Sequence, residues 1–532
     1  MGQGQSLLQR HGYTFEKQTE NGLIAIKDDE RFLITKQISE NLRILDEVEI
    51  LKEAQHPHTI SIKDFICYTL QDKSDQLTTF YVVTKYCEGG NLANKIRRKS
   101  NEESEALDWI AEICVALKVI HEKNILHENV IPQNIFFTEF GKLCLGGFWK
   151  AKESSKDAQD IRYLAPEVFR NRNYDEKSEI WSLGCILYEL CTQKQAFSAT
   201  TTANLVSKIL CGPTPCLDDE KYSSQFHKLL SDMLNKDPAS RPTAGDILGR
   251  AIILKSLLKK SKTTVEFLQT QLAKLEEVAG SLEQVHKGTT IASLTGGVIG
   301  AAGGITTIVG LILAPFTLGA SLIVTGIGVG VGAVGGVTAG ASNVTNMVNQ
   351  SSNRQAVKNI LKEFDEKINA VNIWLTEICQ RLEILRERLS SQPPSEDSSS
   401  NMGQQADSSN MGQQAGGAAR LGKGLGTAAE LARHLSVANM GRIAAQASRS
   451  VRVAEAATGV LSGLFLAFDV VFIAMDAREI HRIRQTQADG ETSSEILKFV
   501  QSVRKAAKEL QEILDGFMDT VSEVKFLEQL SK

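Results

Sequence analysis

From Gly288 to Asn353 the chain carries no Asp, Glu, Lys or Arg, which is foreign to an ordinary solvated surface. Two apolar runs, 291–313 and 318–341, flank Ala314-Pro315-Phe316-Thr317. Each is long enough for a bilayer core, which takes about 20 apolar helical residues. Pro315 breaks the helix between them, so 289–341 is expected to form a membrane-seeking hairpin with both ends on one side. Gly296, Gly300 and Gly304 in the first arm and Gly328, Gly332, Gly336 and Gly340 in the second repeat at four-residue spacing. Such small residues let backbones approach closely where packing, not hydrophobicity, drives association. So much glycine also weakens helix propensity, which favours a hairpin moving between a soluble bundle and a bilayer over a fixed anchor.

The hairpin is framed by amphipathic helices. Apolar residues recur at 3-4 spacing through Val265, Leu268, Leu272, Leu275, Ala279 and Leu282, then through Leu361, Phe364, Ile368, Val371, Leu375, Ile378, Leu382, Leu385 and Leu389. A third set runs from Ile496 to Val524. These predict helices that pack on one another or supply a coiled-coil face, including one for a homo-oligomer. Residues 391–419 are rich in Ser, Gln and Gly and repeat Ser-Ser-Asn-Met-Gly-Gln-Gln-Ala, which reads as a disordered tether. Beyond it, 417–452 is a basic, Ala-rich stretch suited to a solvated helix face or to anionic lipid. Asp469 and Asp476 interrupt a later apolar run seven residues apart and on one helical face. They read either as capped or salt-bridged carboxylates of a core helix or as candidate pH sensors for acid-dependent membrane entry.

A net charge of −4 gives no global field for nucleic acid. Eight of nine cysteines lie before residue 220, with no C-x-x-C metal spacing, and read as reduced thiols of the cytosol. The start, Met1-Gly2-Gln3-Gly4-Gln5-Ser6, has myristoylation spacing and makes Gly2 a candidate lipidation site. One acyl chain binds membranes only marginally, so a second membrane signal is expected.

Residues 12–252 place short alternating runs, Gly22 to Ile26 and Phe32 to Lys36, before longer helical patterns. Within them stand His127-Glu128-Asn129-Val130-Ile131-Pro132-Gln133-Asn134, Ala165-Pro166-Glu167, Glu179-Ile180-Trp181-Ser182-Leu183-Gly184 and Arg241. In order and spacing these resemble the H-R-D-L-x-x-x-N and A-P-E segments of protein kinases. Gln133-Asn134-Ile135-Phe136 and Phe32-Leu33-Ile34-Thr35-Lys36 are most similar to NIMA-related Ser/Thr kinases. The resemblance implies an α+β bilobal fold. It also implies which chemistry is lost.

Asn129 stands where the family has its catalytic base, Glu128 replaces the Arg of H-R-D, and Ile131 replaces the loop cation. Gly147-Phe148-Trp149 replaces D-F-G, so the metal-binding carboxylate is missing. Of the glycine-rich loop, aligned to Lys17–Gly22, only Gly22 survives. Lys36, Glu47 and Asn134 match the nucleotide-binding positions; Lys36 with Glu47 reads first as an ion pair bracing the small lobe. His127, Phe148, Glu167 and Arg241 match structural ones. The expectation is a pseudokinase that needs no cofactor, binds ATP weakly if at all, and acts as a scaffold or switch. The rival expectation is an active or weakly active Ser/Thr kinase recruited to membranes.

Gly310-Leu-Ile-Leu-Ala-Pro-Phe-Thr-Leu-Gly-Ala-Ser321, its glycine-rich continuation and Ala-Phe-Asp-Val-Val at 467–471 resemble the apolipoprotein L family. That resemblance implies an all-α lipid-binding module linked to membrane permeability. The chain thus reads as a lipidation segment 1–11, a kinase-like domain 12–252, a linker 253–263 that is either solvated or a helix end, helices with hairpin 264–390, the tether 391–419 and C-terminal helices 420–530. Membrane lipids and proteins bound by the kinase-like domain are the expected partners. Intracellular membranes, reached from the cytoplasm, are the expected location.

Overall fold

The computed structural model describes the backbone of residues 3–19, 22–28, 30–39, 55–69, 78–98, 102–148, 160–171, 173–294, 341–390, 455–464 and 490–524, with 52, 452 and 466 singly. It divides into two compact units, one mainly of residues up to Leu257, the other mainly of 258–383 and 436–529.

The first unit opens with helix α1 (Gln3–Arg10) and five strands, β1 (Thr14–Thr19), β2 (Gly22–Lys27), β3 (Glu30–Ser39), β4 (Ile62–Thr69) and β5 (Thr78–Lys85). They form one antiparallel sheet in the order β1-β2-β3-β5-β4. The alternation in Gly22–Ile26 and Phe32–Lys36 is what two-faced strands require. One face carries Ala25, Phe32, Ile34, Ile66, Tyr81 and Val83 against Leu8 of α1 and Tyr13.

The helical part follows: α2 (Leu92–Ile96), α3 (Glu103–Glu122), the hairpin β6 (Ile135–Phe137) with β7 (Leu143–Leu145), α4 (Pro166–Asn171), α5 (Glu176–Thr192), α6 (Thr202–Cys211), α7 (Ser224–Met233) and α8 (Ala244–Leu248). α3 and α5 are apolar around most of their circumference, and Ile110, Ile113, Leu117, Ile180, Trp181 and Leu183 are fully buried. A capping box, in which Asp175 and Ser178 exchange side-chain and backbone bonds, sets where α5 begins.

Helix α9 (Ala251–Leu294) runs without interruption through 253–263. This corrects the reading of that stretch as a solvated linker. Lys255, Lys259, Lys260 and Lys262 disguise a buried seam of Leu254, Leu258, Ser261, Val265, Leu268 and Leu272, spaced alternately by three and four. Ser256 hydrogen-bonds Asp108 of α3, and Lys260 covers the ring of Trp374 at 5.0 Å.

In the second unit α9 is joined by α10 (Ala341–Ser390) and α11 (Gly490–Val524). The same seam recurs in α10 at Leu361, Phe364, Ile368, Val371, Leu375, Ile378 and Leu382, and in α11 at Val500, Val503, Ala507, Leu510, Leu514, Phe517 and Val521, all buried. A strict heptad in each helix is the pattern of left-handed supercoiled packing. Lys260 with Trp374 and Lys367 with Phe267 show α9 and α10 to be antiparallel. A short helix at 455–464 adds Ala457, Leu461 and Leu464 to the buried set. No helix among the described residues is long and apolar enough to cross a membrane. The hairpin 289–341 lies almost wholly outside those residues, as do Gly296, Gly300, Gly304, Pro315, Gly328, Gly332, Gly336, Gly340, the tether, Asp469 and Asp476.

Candidate functional site

The kinase-like site is built on the loop after α3. A three-residue 3-10 turn, Pro132–Asn134, follows a backbone held in an unusual shape: Glu128 has φ +60°, sparsely populated by residues other than Gly. A buried carboxylate fixes it. The Glu128 N–H donates to Glu179 at 2.6 Å, and the other oxygen of Glu179 lies 2.5 Å from His121 Nε2. Glu179 is fully buried, and sequence reasoning missed its role as the brace of this loop. The acid two residues before Trp181 was the signal that could have exposed it.

His127 lies at the centre. Its Nδ1 accepts the Asn129 N–H at 3.2 Å and its Nε2 donates to the Gly146 carbonyl at 2.9 Å. Its ring packs on Phe148 with centroids 4.4 Å apart. Burial holds the imidazole below its ordinary pKa, so it is a neutral structural ring. Asn134 donates from Nδ2 to the Asn129 carbonyl at 2.9 Å, which joins the base position to the retained amide. Val130 and Ile131 are buried, so the loop turns apolar where the family has a cation.

Gly147 has φ +82°, and a Cβ placed on it would lie 2.5 Å from Cγ and Oδ1 of Asn134 and 2.9 Å from Nδ2. The space for the metal-binding side chain is therefore filled by the neighbouring amide. The set does not fit Mg²⁺, which is held by carboxylates and phosphate oxygens. Among the described residues no group of three or more His, Cys, Asp or Glu side chains is placed to hold a metal ion.

The strand end of the site is equally altered. Lys17, Gln18 and Thr19 pair with Ile24, Leu23 and Gly22, so these positions aligned with the glycine-rich loop are taken up by a ladder. Gly22 is at φ +145°, and a Cβ there would meet the Ile34 carbonyl at 2.5 Å. Close approach to β3 explains this glycine, without any phosphate. Lys36 lies on β3, exposed and opposite Tyr81. Glu47 and Gly2 lie outside the described residues.

Below the site, Arg241 grips Glu167 through two hydrogen bonds of 2.6 and 2.7 Å. It also donates to the carbonyls of Asn235 and Lys177 and sits 5.1 Å from the Trp181 ring. Burial alone would raise the Glu167 pKa. The Arg241 guanidinium, the Glu167 backbone N–H and Ser178 outweigh it and hold that carboxyl below the ordinary range. The structure thus brings His127, Asn129, Asn134, Gly147 and Phe148 together, pairs Glu167 with Arg241, and leaves Lys36 apart.

Sheet, helical lobe, catalytic-loop turn and Glu167–Arg241 pair define a protein-kinase domain, and the protein kinase domain family model matches residues 8–252. Residues of this domain are 35% identical over 254 positions to the mouse serine/threonine-protein kinase Nek1, covering 44% of this chain and 20% of that protein. They are 34% identical over 214 positions to mouse Nek3, covering 38% and 40%, and 30% over 275 to human Nek2, covering 47% and 60%. The match thus spans from a fifth to three fifths of these relatives. The remainder matches the apolipoprotein L model over residues 253–519, half of the chain, and the chain belongs to the apolipoprotein L family. It is a fusion of a NIMA-related kinase domain with an apolipoprotein L domain.

Proposed function

We propose that the kinase-fold domain does not transfer phosphate, and that it scaffolds or regulates an apolipoprotein-L-type module that binds membrane lipids. The observation that carries the first half is Gly147 packed on Asn134, with Asn129 at the base position. Phosphoryl transfer rests on positioning and charge neutralisation; neither the base position, Asn129, nor the metal position, Gly147, carries a carboxylate to provide them. The second half is supported by the uncharged span from Gly288 to Asn353 and by the antiparallel α9 and α10 on either side of it. On this reading the hairpin enters lipid conditionally, with Gly2 and the pair Asp469 and Asp476 as further membrane signals. The protein acts at the surface of intracellular membranes.

Liposome flotation of the full chain and of a variant lacking 289–341 tests the lipid half. Loss of flotation in the deletion is expected, and unchanged flotation would sink the hairpin's role. A second reading, an active Ser/Thr kinase carried to membranes, is favoured by the names of the relatives, and phosphotransfer assays separate the two.

A further inference from the structure

A strand sends successive side chains to opposite faces, so register alone decides whether a strand lysine reaches the cleft. In β3, Phe32, Ile34 and Lys36 share one face, with Leu23 and Ala25 across the ladder on β2 and Tyr81 and Val83 on β5. That is the face on which Leu8 of α1 packs. Leu33 and Thr35 share the other face with Ile24, Val82 and Thr84, and with Phe80, which stacks on Phe65 at 5.3 Å. Ile24, Phe80 and Val82 are completely buried although α1 lies on the far side, so this second face is turned to the interior of the domain. Only two residues link Lys27 to its partner Glu30, and Asp28 in that turn has φ +52°. A tight turn fixes register; one residue more or less would exchange the two faces.

The two neighbours on β3 also differ in surroundings. Lys36 is exposed. Thr35 Oγ1 is buried and has no hydrogen-bond partner among the described residues, an arrangement that costs free energy unless a ligand or water satisfies it.

We infer that Thr35 holds the inward position on β3 and that Lys36 has been turned out of the cleft, so the cleft takes an uncharged, nucleoside-like ligand in preference to a nucleoside triphosphate. Among the described residues, a triphosphate entering it meets no inward strand cation, no phosphate-cradling loop and no metal carboxylate. A neutral ligand loses nothing by their absence and meets the free Thr35 hydroxyl. The inference concerns the same cleft as the pseudokinase reading but addresses binding, not transfer.

Thermal shift of the full chain with ATP or adenosine, in EDTA, tests it. Wild type and Lys36→Met should respond alike, more to adenosine than to ATP. Thr35→Lys should gain an ATP-dependent rise of about 3–6 °C at a tenfold excess over its Kd. An ATP response of wild type that Lys36→Met abolishes overturns the inference, as does a folded Thr35→Lys that ignores ATP or a wild type that prefers ATP. If Thr35→Lys does not fold, amine labelling of the native chain decides. Lys36 should react as readily as exposed Lys85 and gain no protection from ATP; protection would refute the assignment. Phosphotransfer that persists in Lys36→Met would sink the pseudokinase reading while leaving the outward placement of Lys36 standing; the ligand preference is then decided by the adenosine and ATP shifts alone.

Discussion

A side chain added at position 147 meets two separate obstacles. At φ +82° an L residue sits in left-handed backbone, which costs about 1–2 kcal/mol. Its Cβ would also lie 2.5 Å from Asn134 Cγ and Oδ1, and wedging an atom into packed surroundings costs about 1–3 kcal/mol. Asn134 cannot swing aside freely, because its Nδ2 bond to the Asn129 carbonyl contributes about 0.5–1.5 kcal/mol. Gly147→Ala should therefore destabilise the domain by about 2–5 kcal/mol. A domain of this size loses about 2–4 °C per kcal/mol, so its melting temperature should fall by roughly 4–20 °C. Gly147→Asp should fall at the smaller end, since Asp enters left-handed backbone more readily. Urea and thermal unfolding of the full chain, followed by tryptophan fluorescence, measure this. Combined with Asn134→Ala, Gly147→Ala should cost less than the sum of the two by about 1–3 kcal/mol, because the clash is gone. A neutral Gly147→Ala, or strict additivity, would refute the account of how this loop is held.

Three further outcomes follow from buried groups. Arg241→Ala leaves Glu167 as an uncompensated buried carboxylate and should cost about 3–5 kcal/mol by urea unfolding, whereas a surface Lys194→Ala should cost under about 0.5 kcal/mol. Burial pushes His56 down to about 3 and also lowers His127; a histidine with a depressed folded pKa stabilises above its unfolded pKa and loses that contribution as pH falls. Urea midpoints should accordingly drop between pH 6.5 and about 3, and His56→Gln should flatten that slope. Of the described cysteines only Cys211 and Cys216 are exposed. N-ethylmaleimide followed by peptide mass mapping should label those two on the native chain and spare Cys87, Cys114, Cys144, Cys185, Cys191 and Cys379.

What the sequence made legible was local. Asn129, Gly147 and Glu167 sit in short motifs whose spacing survives, so their places were readable without coordinates. The 3-4 spacing likewise announced the helices now seen as α9, α10 and α11. Lys36 was not readable in the same way, because its face depends on a ladder with β2 and β5 that a turn of two residues sets. Lys255 to Lys262 misled because charge hid a seam whose inward residues are three and four apart. Gly22 shows the same limit: its motif position suggested phosphate contact, while the Ile34 carbonyl beneath it gives the reason for glycine. Glu179 went unread because its partners, Glu128 and His121, are distant in sequence.

The central claim, a kinase fold without phosphoryl transfer beside a lipid-binding module, is tested most directly by transfer of labelled phosphate from ATP by the purified full chain, with Mg²⁺ or Mn²⁺, to itself and to generic Ser/Thr substrates. No incorporation above that of an Asn129→Ala, Asn134→Ala control is predicted. Incorporation that wild type sustains and this control loses would contradict it.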